Sequence, residues 1–246
     1  MAHSESPPIV LITGATGYIG RRLTHHLLAS QRYTVRLFVR NQRKVQATIA
    51  DAVEIHEGST FEPETLVAAL EDVDTAFYLI HSMGSDEDYR KLDRESAENF
   101  RRACVAAGVR RIIYLGGLGN RDSASKHLLS RIETGETLCA EPGRISTIWF
   151  RAGVIVGSGS ASFEIIRNLC HKLPFMLTPL WVRTKTEAIG IEDVLAYVEQ
   201  GIELPTKETV GVDIGSGKFR LQEMFAGAAV ARGLRRVLVA GAVLGR

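Results

Sequence analysis

The chain is poor in cysteine, with three in 246 residues: Cys104, Cys139 and Cys170. They are widely spaced, odd in number and without a Cys-x-x-Cys pair. This excludes a disulfide framework and fits a reducing compartment. Cys170 stands beside His171, but no second ligand pair lies near it, so no metal is expected. Each cysteine reads as a small buried apolar residue. Charge of neither sign dominates: 30 basic residues face 28 acidic ones, a net +2. Nucleic acid and anionic membrane are therefore not expected as partners. No apolar run approaches the roughly 18 residues that a spanning helix needs. The first ten residues, MAHSESPPIV, hold no basic stretch followed by an apolar one, so no secretory signal is expected. What is present, 45% hydrophobic and 24% charged residues, excludes a disordered or fibrous chain. The expectation is a soluble, cytoplasmic protein whose partner is a small-molecule substrate or a nucleotide ligand.

Apolar runs and helical spacings alternate along the chain. Residues 1–8 read as a frayed tail. Ile9-Val10-Leu11-Ile12 is a continuous apolar run suited to a strand covered on both faces. Leu23, Leu27 and Leu28 then recur at helical spacing. Strands are predicted at 33–40, 52–56, 75–80, 111–115, 145–151 and 210–214. Helices are predicted at 63–70, 86–107, 122–140, 163–171, 191–200 and 221–232, with Gly108 closing the second of these as its C′ residue. Residues 153–162 read as a Gly/Ser loop, and 174–179 break regular structure. This order predicts an α/β fold: a Rossmann-type doubly wound parallel sheet with helices on both faces. One domain spans 9–235, and a small irregular insertion at 153–190 shapes the substrate side. Residues 236–246 read as a C-terminal tail or the start of a further domain. Helices 86–107 and 122–140 are candidates for pairing in a homodimer.

The most informative motif is Thr13-Gly14-Ala15-Thr16-Gly17-Tyr18-Ile19-Gly20, lying directly between the first strand and the first helix. Gly14 allows the tight turn, Gly17 lets the backbone approach a pyrophosphate, and Gly20 lets the helix pack on the strand. The helix start then offers N–H groups and a partial positive charge to phosphates. Thr16, Tyr18 and Ile19 complete this contact set. The spacing is G-x-x-G-x-x-G, and TGATGYIG resembles the short-chain dehydrogenase/reductase superfamily in its extended or atypical branch. The runs 108–115, 150–157 and 188–194 agree with it. His81-Ser82-Met83-Gly84 and GSGSASFEIIR at 157–167 are similar to an NAD(P)-binding, NAD-dependent epimerase/dehydratase-like subgroup. The resemblance covers about residues 9–235.

The second strand ends at Val39-Arg40, with Arg43 and Lys44 close behind. A carboxylate there suits the ribose 2′-hydroxyl of NAD; a guanidinium suits a 2′-phosphate. NADP(H) is therefore expected over NAD(H), held by Arg40 and Arg43. Ser59 stands where the resembling family commonly has an aspartate near the adenine. Ile80 and His81 end the fourth strand at the switch point where ligands bind. His81 is read either as a cofactor or substrate contact or as a strand-end histidine satisfied by a loop.

The resemblance implies a Tyr and a Lys four residues apart on one helix, plus a Ser on the preceding strand. None of the six tyrosines is followed four residues later by lysine. In register, His127 stands at the tyrosine position and Arg131 at the lysine position, with glycine in place of the serine. His127, as a neutral imidazole, is the candidate proton relay, and Arg131 a candidate for holding ribose or phosphate oxygens. Arg151 and Met83 are candidate substrate contacts; Arg151 also fits an ion pair at the sheet end. His25, His26 and His56 read as structural. Three functions compete: an NADP(H)-dependent oxidoreductase with unusual active-site residues, an inactive NADP(H)-binding sensor or regulator, and a nucleotide-sugar epimerase or dehydratase.

Overall fold

An apolar segment with nothing polar to show to water belongs in the middle of a sheet. Ile9–Thr13 forms β1, and its Val10, Leu11 and Ile12 are fully buried in the computed structural model. The structure describes residues 6–81, 88–160, 163–165, 167–168, 175–178, 185–231, 233 and 237–240. After β1 come α1 (Tyr18–Ser30), β2 (Thr34–Val39), α2 (Ala47–Ala50), β3 (Glu54–Glu57), α3 (Pro63–Leu70), β4 (Val73–Tyr78) and α4 (Asp88–Ala106). β5 (Arg111–Gly117), α5 (Lys126–Leu138), β6 (Ser146–Ala152), β7 (Val154–Val156), β8 (Phe175–Thr178) and β9 (Lys185–Gly190) follow. Helix Ile191–Glu203, β10 (Val210–Ile214), β11 (Lys218–Arg220), helix Leu221–Val230 and β12 (Val237–Ala240) complete the described elements. Among the described residues no helix is long and apolar enough to cross a membrane.

Seven strands form the main sheet in the order β10-β6-β5-β4-β1-β2-β3. β1 runs parallel to β2 and β4, β2 to β3, and β4 to β5. Between β6 and β10, Ser146 bonds Glu208, Thr147 bonds Thr209 and Arg151 bonds Asp213, each 62 residues apart. A constant offset means that these strands also run the same way. Chain order reverses on either side of β1, so a crevice opens beyond the C-terminal ends of β1 and β4.

Period-two alternation sorts the strand residues onto two faces. Leu11, Tyr78, Ile112 and Tyr114 join one core with Leu66 and Leu70 of α3, Phe100 of α4 and Leu138 of α5. On the other face, Gly201 of helix Ile191–Glu203 lies against Phe150 and Ile113. His26 of α1 reaches Glu199 of that helix at 2.7 Å. The doubly wound expectation is therefore met.

The described residues form two compact units, Met1–Arg151 with Leu195–Asp213 and Ala152–Val194 with Ile214–Arg246. The second carries two small sheets, β11-β9-β7 and β12-β8. Several expectations need correction here. β7 lies within the stretch read as a Gly/Ser loop. β8 lies within the stretch read as irregular, where it pairs with β12, itself read as tail. The continuous helix expected over 122–140 is also divided. Asn120 caps a short turn at Arg121–Ser123, and Ser125 accepts the Leu128 N–H to start α5 afresh at Lys126. Two side-chain caps five residues apart break the run. Gly108 does adopt the left-handed conformation expected after α4, at φ +72°.

Candidate functional site

The site is built on the turn between β1 and α1. Gly14 takes φ +66°, and the Gly17 N–H donates back to its carbonyl at 2.9 Å. A Cβ on Gly20 would sit 2.3 Å from that same carbonyl oxygen, so Gly20 is what lets α1 close on the turn. Gly17 caps α1 without any side-chain bond, and no acidic residue occupies the first turn. The helix thus presents backbone N–H groups to an anion. Thr13 ties the ends of β1 and β4 together: its hydroxyl donates to the Phe77 carbonyl at 2.9 Å and accepts the Leu79 N–H at 3.1 Å.

A cavity of about 640 Å³ lies over this turn, within the range of nucleotide-sized sites. Gly14, Thr16, Gly17, Arg40, Ser59, Ile80 and His81 line it, bringing together seven residues singled out in the sequence. Tyr18, Ile19 and Gly20 stand in the first turn of α1 behind that wall. Arg43 lies in a short exposed turn, its N–H on the Asn41 side chain at 2.9 Å, and is not part of the wall. Arg40 is the one charged side chain among the described lining residues. It is exposed and has no ion-pair partner among the described residues. Among the described residues the wall thus holds one cation without an ion-pair partner and no carboxylate, which suits an anionic ligand.

Other residues complete the lining: Gly58 and Thr60, from the Gly58-Ser59-Thr60 stretch that the sequence marks after its third strand, and several that it does not single out. Phe38 precedes Arg40 on β2, and Gly58, Thr60 and Phe61 flank Ser59. The Ser59 hydroxyl accepts the Phe61 N–H at 3.3 Å, which shapes this loop. Thr60 is fixed through Ser96, whose hydroxyl lies 2.7 Å from Thr60 Oγ1 and 2.8 Å from Tyr78 Oη. From α4, Tyr89, Leu92 and Ser96 face the cavity. Their helical spacing was the available signal.

His81 is half-buried at the end of β4. Burial holds its pKa down at about 4, with the Arg131 guanidinium pushing the same way and Asp93 and the Leu115 carbonyl opposing. The unfolded chain, titrating near the ordinary histidine value of 6.5, therefore takes up a proton first. This contribution to stability is present above about 6.5 and is lost as pH falls towards about 4. Wild type is expected to lose more stability over that window than His81→Gln in chemical denaturation at stepped pH; parallel losses would overturn the assignment.

The proposed catalytic pair lies beside the cavity. His127 is exposed and stacks on Tyr89, centroids 5.3 Å apart and planes 21° apart. Arg131 is also exposed; its carbonyl accepts the Tyr114 hydroxyl at 2.8 Å. A Cβ on Gly116 would lie 2.5 Å from Trp149 Nε1, and one on Gly117 would lie 2.6 Å from Leu128. Neither glycine has room for a serine without a shift of its neighbour. Of the two readings of Arg151, the ion pair is the one found: its Nε donates to Asp213 at 2.6 Å and its guanidinium lies 5.5 Å over Trp149. Met83 lies outside the described residues.

A dinucleotide fits what is present. The start of α1 offers backbone N–H groups with no side-chain cap, and buried polar atoms of His81 and Tyr89 on the cavity wall lack partners among the described residues. Comparison with known proteins agrees. Residues 14–138, about half of the chain, match the model of a family described as NAD(P)H-binding. Photosystem II assembly factor Ycf39 of Synechocystis sp. is 28% identical over 197 residues, 79% of this chain. The chain spans 58% of that relative's length. The Bordetella bronchiseptica enzyme WbmG in complex with NAD superposes with a TM-score of 0.79 at 14% identity, over 99% of this chain and 84% of that one. A nucleoside-diphosphate-sugar epimerase from Staphylococcus aureus gives 0.78 at 19% identity, over 95% and 80%.

Proposed function

The chain belongs to the NAD(P)H-binding family, and from that premise we propose that it binds NADP(H) in preference to NAD(H) and works as an oxidoreductase. The guanidinium of Arg40, without an ion-pair partner among the described residues, carries the preference. It stands at the end of β2 on the cavity wall, where a ribose 2′-phosphate would form charge-assisted bonds and a 2′-hydroxyl would leave the cation unmatched. The α1 N-terminus would hold the pyrophosphate. When bound, such a cofactor exchanges a hydride with a substrate carbon.

Titration of purified protein with NADPH and NADH tests this. Bonds to a charged group contribute about 1.5–3 kcal/mol, so Arg40→Asp is expected to weaken NADPH by roughly 10- to 100-fold and to leave NADH nearly unchanged. Equal weakening of both nucleotides, or equal wild-type affinity for them, overturns the preference.

One observation favours a second reading, a cofactor-binding sensor without turnover. Gly116 and Gly117 are crowded, and His127 and Arg131 replace the expected tyrosine and lysine. The similarity to a protein named as an assembly factor is in keeping with it. NADPH that stays bound and unconsumed across a panel of aldehydes, ketones and quinones would mark the sensor; its consumption marks the oxidoreductase.

A further inference from the structure

Two polar atoms on the cavity wall have no hydrogen-bond partner among the described residues. These are Tyr89 Oη and His81 Nδ1, both shut off from solvent. Both residues line the cavity, and Tyr89 is only 7% exposed. An unpaired buried donor destabilises a fold, and one kept on a cavity wall has a use when the cavity is filled. Tyr114 shows the structural alternative, since its hydroxyl is paired with the Arg131 carbonyl.

Both side chains are held in place. Tyr89 begins α4 and its ring stacks on His127. His81 meets the Tyr114 ring edge-on at 5.8 Å. We propose that Tyr89 Oη and His81 Nδ1 form a two-point site for a hydroxyl group: Tyr89 donates its O–H to the oxygen, and His81 Nδ1 accepts the group's own proton, because the other ring nitrogen donates to the Leu115 carbonyl. This rests on the reading of the cavity as an NADP(H) site. The sheet order places β2, with Arg40, on one side of β1 and β4, with His81, on the other. A ligand with its 2′-phosphate at Arg40 and its pyrophosphate at the β1 turn extends past β1 towards Tyr89 and His81. The hydroxyl then belongs either to the ribose of the cofactor's nicotinamide half or to an alcohol substrate beside it.

Tyr89→Phe separates these. Without ligand it is expected to melt at or above the wild-type temperature, because it removes an unpaired hydroxyl, whereas Tyr114→Phe melts a few degrees lower. Adenosine 2′,5′-bisphosphate, which lacks the nicotinamide half, is expected to bind Tyr89→Phe and wild type alike. About tenfold weaker NADPH binding by Tyr89→Phe assigns the oxygen to the cofactor. Unchanged NADPH binding with about tenfold weaker capture of benzyl alcohol by the NADP⁺ complex assigns it to an alcohol substrate. A lower melting temperature without ligand, or unchanged affinity for both NADPH and the alcohol, overturns the site. Failure of wild type to bind the bisphosphate or NADPH removes the NADP(H) reading itself and the site with it.

Discussion

Gly14→Ala is expected to lower the unfolding free energy by about 3 kcal/mol and to abolish measurable nucleotide binding. Two effects add. Gly14 sits at φ +66°, where an L-residue costs about 1–2 kcal/mol. A Cβ there would also lie 2.5 Å from the Leu79 carbonyl oxygen and 2.8 Å from its carbon. Both are backbone atoms, so relief requires the end of β4 to move, at about 1–3 kcal/mol. Thr13 bonds the backbone of both Phe77 and Leu79, so that end cannot move independently of β1. Any shift that does occur carries Ile80 and His81 away from the cavity. Gly17→Ala makes the informative comparison. Its Cβ would meet only the Gly14 carbonyl oxygen, at 3.2 Å, and its φ of −79° suits any residue. Gly17→Ala is therefore expected to cost less than about 1 kcal/mol while still weakening NADPH, because the methyl occupies the phosphate approach. Urea denaturation and NADPH titration of the two variants check this. A Gly14→Ala loss below about 1 kcal/mol with binding intact would be incompatible with the argument.

The glycine turn was legible in the sequence because its requirements are local. Each glycine answers to atoms within a few residues or to the strand next door, and the apolar runs on either side announce strand and helix. Arg40 was legible for the same reason, as the residue that ends the second strand. Partnerships made only by tertiary packing were not. His127 finds Tyr89 across the α4–α5 interface, and no spacing along either helix predicts that stack. Arg151 fitted two readings until β10 brought Asp213 beside it, 62 residues away. The strands of the second unit have three to six residues, too short for alternation to stand out, and among the described residues β8 and β12 pair with each other. The helix expected from 122 shows the opposite fault. Helical spacing continues across Ser125, but the caps at Asn120 and Ser125 decide where the backbone turns.

Arg111 was read only as part of a strand, yet removing it is expected to cost about 3 kcal/mol. It opens β5 and is 1% exposed, an unusual place for a guanidinium. Its partners explain the burial. Nη1 donates to the carbonyls of Gly201 at 2.7 Å and Ile202 at 3.0 Å, and Nη2 to Leu204 at 2.9 Å and to Thr206. These carbonyls close the end of helix Ile191–Glu203 and the turn after it, where backbone oxygens lack intrahelical donors and carry the negative end of the helix dipole. One planar fork thus pins a helix end to the first residue of a central strand. Arg110 beside it is occupied elsewhere, bonding Asp74 at 2.8 and 2.7 Å, and its single bond to Ile202 at 3.0 Å cannot replace the four. Arg111→Met keeps the apolar stem and leaves four carbonyls without this donor. Water from the adjoining cavity, about 880 Å³, meets part of the loss, which is why the expected cost stays near 3 kcal/mol rather than the sum of four charged bonds. Arg111→Lys brings a charge but no fork, and is expected to recover less than half of the difference. Urea denaturation of the two variants measures this. Hydrogen exchange at 198–203 should accelerate more than exchange in α4. A loss below about 1 kcal/mol for Arg111→Met, or full recovery by lysine, would show that the fork does not hold the helix end.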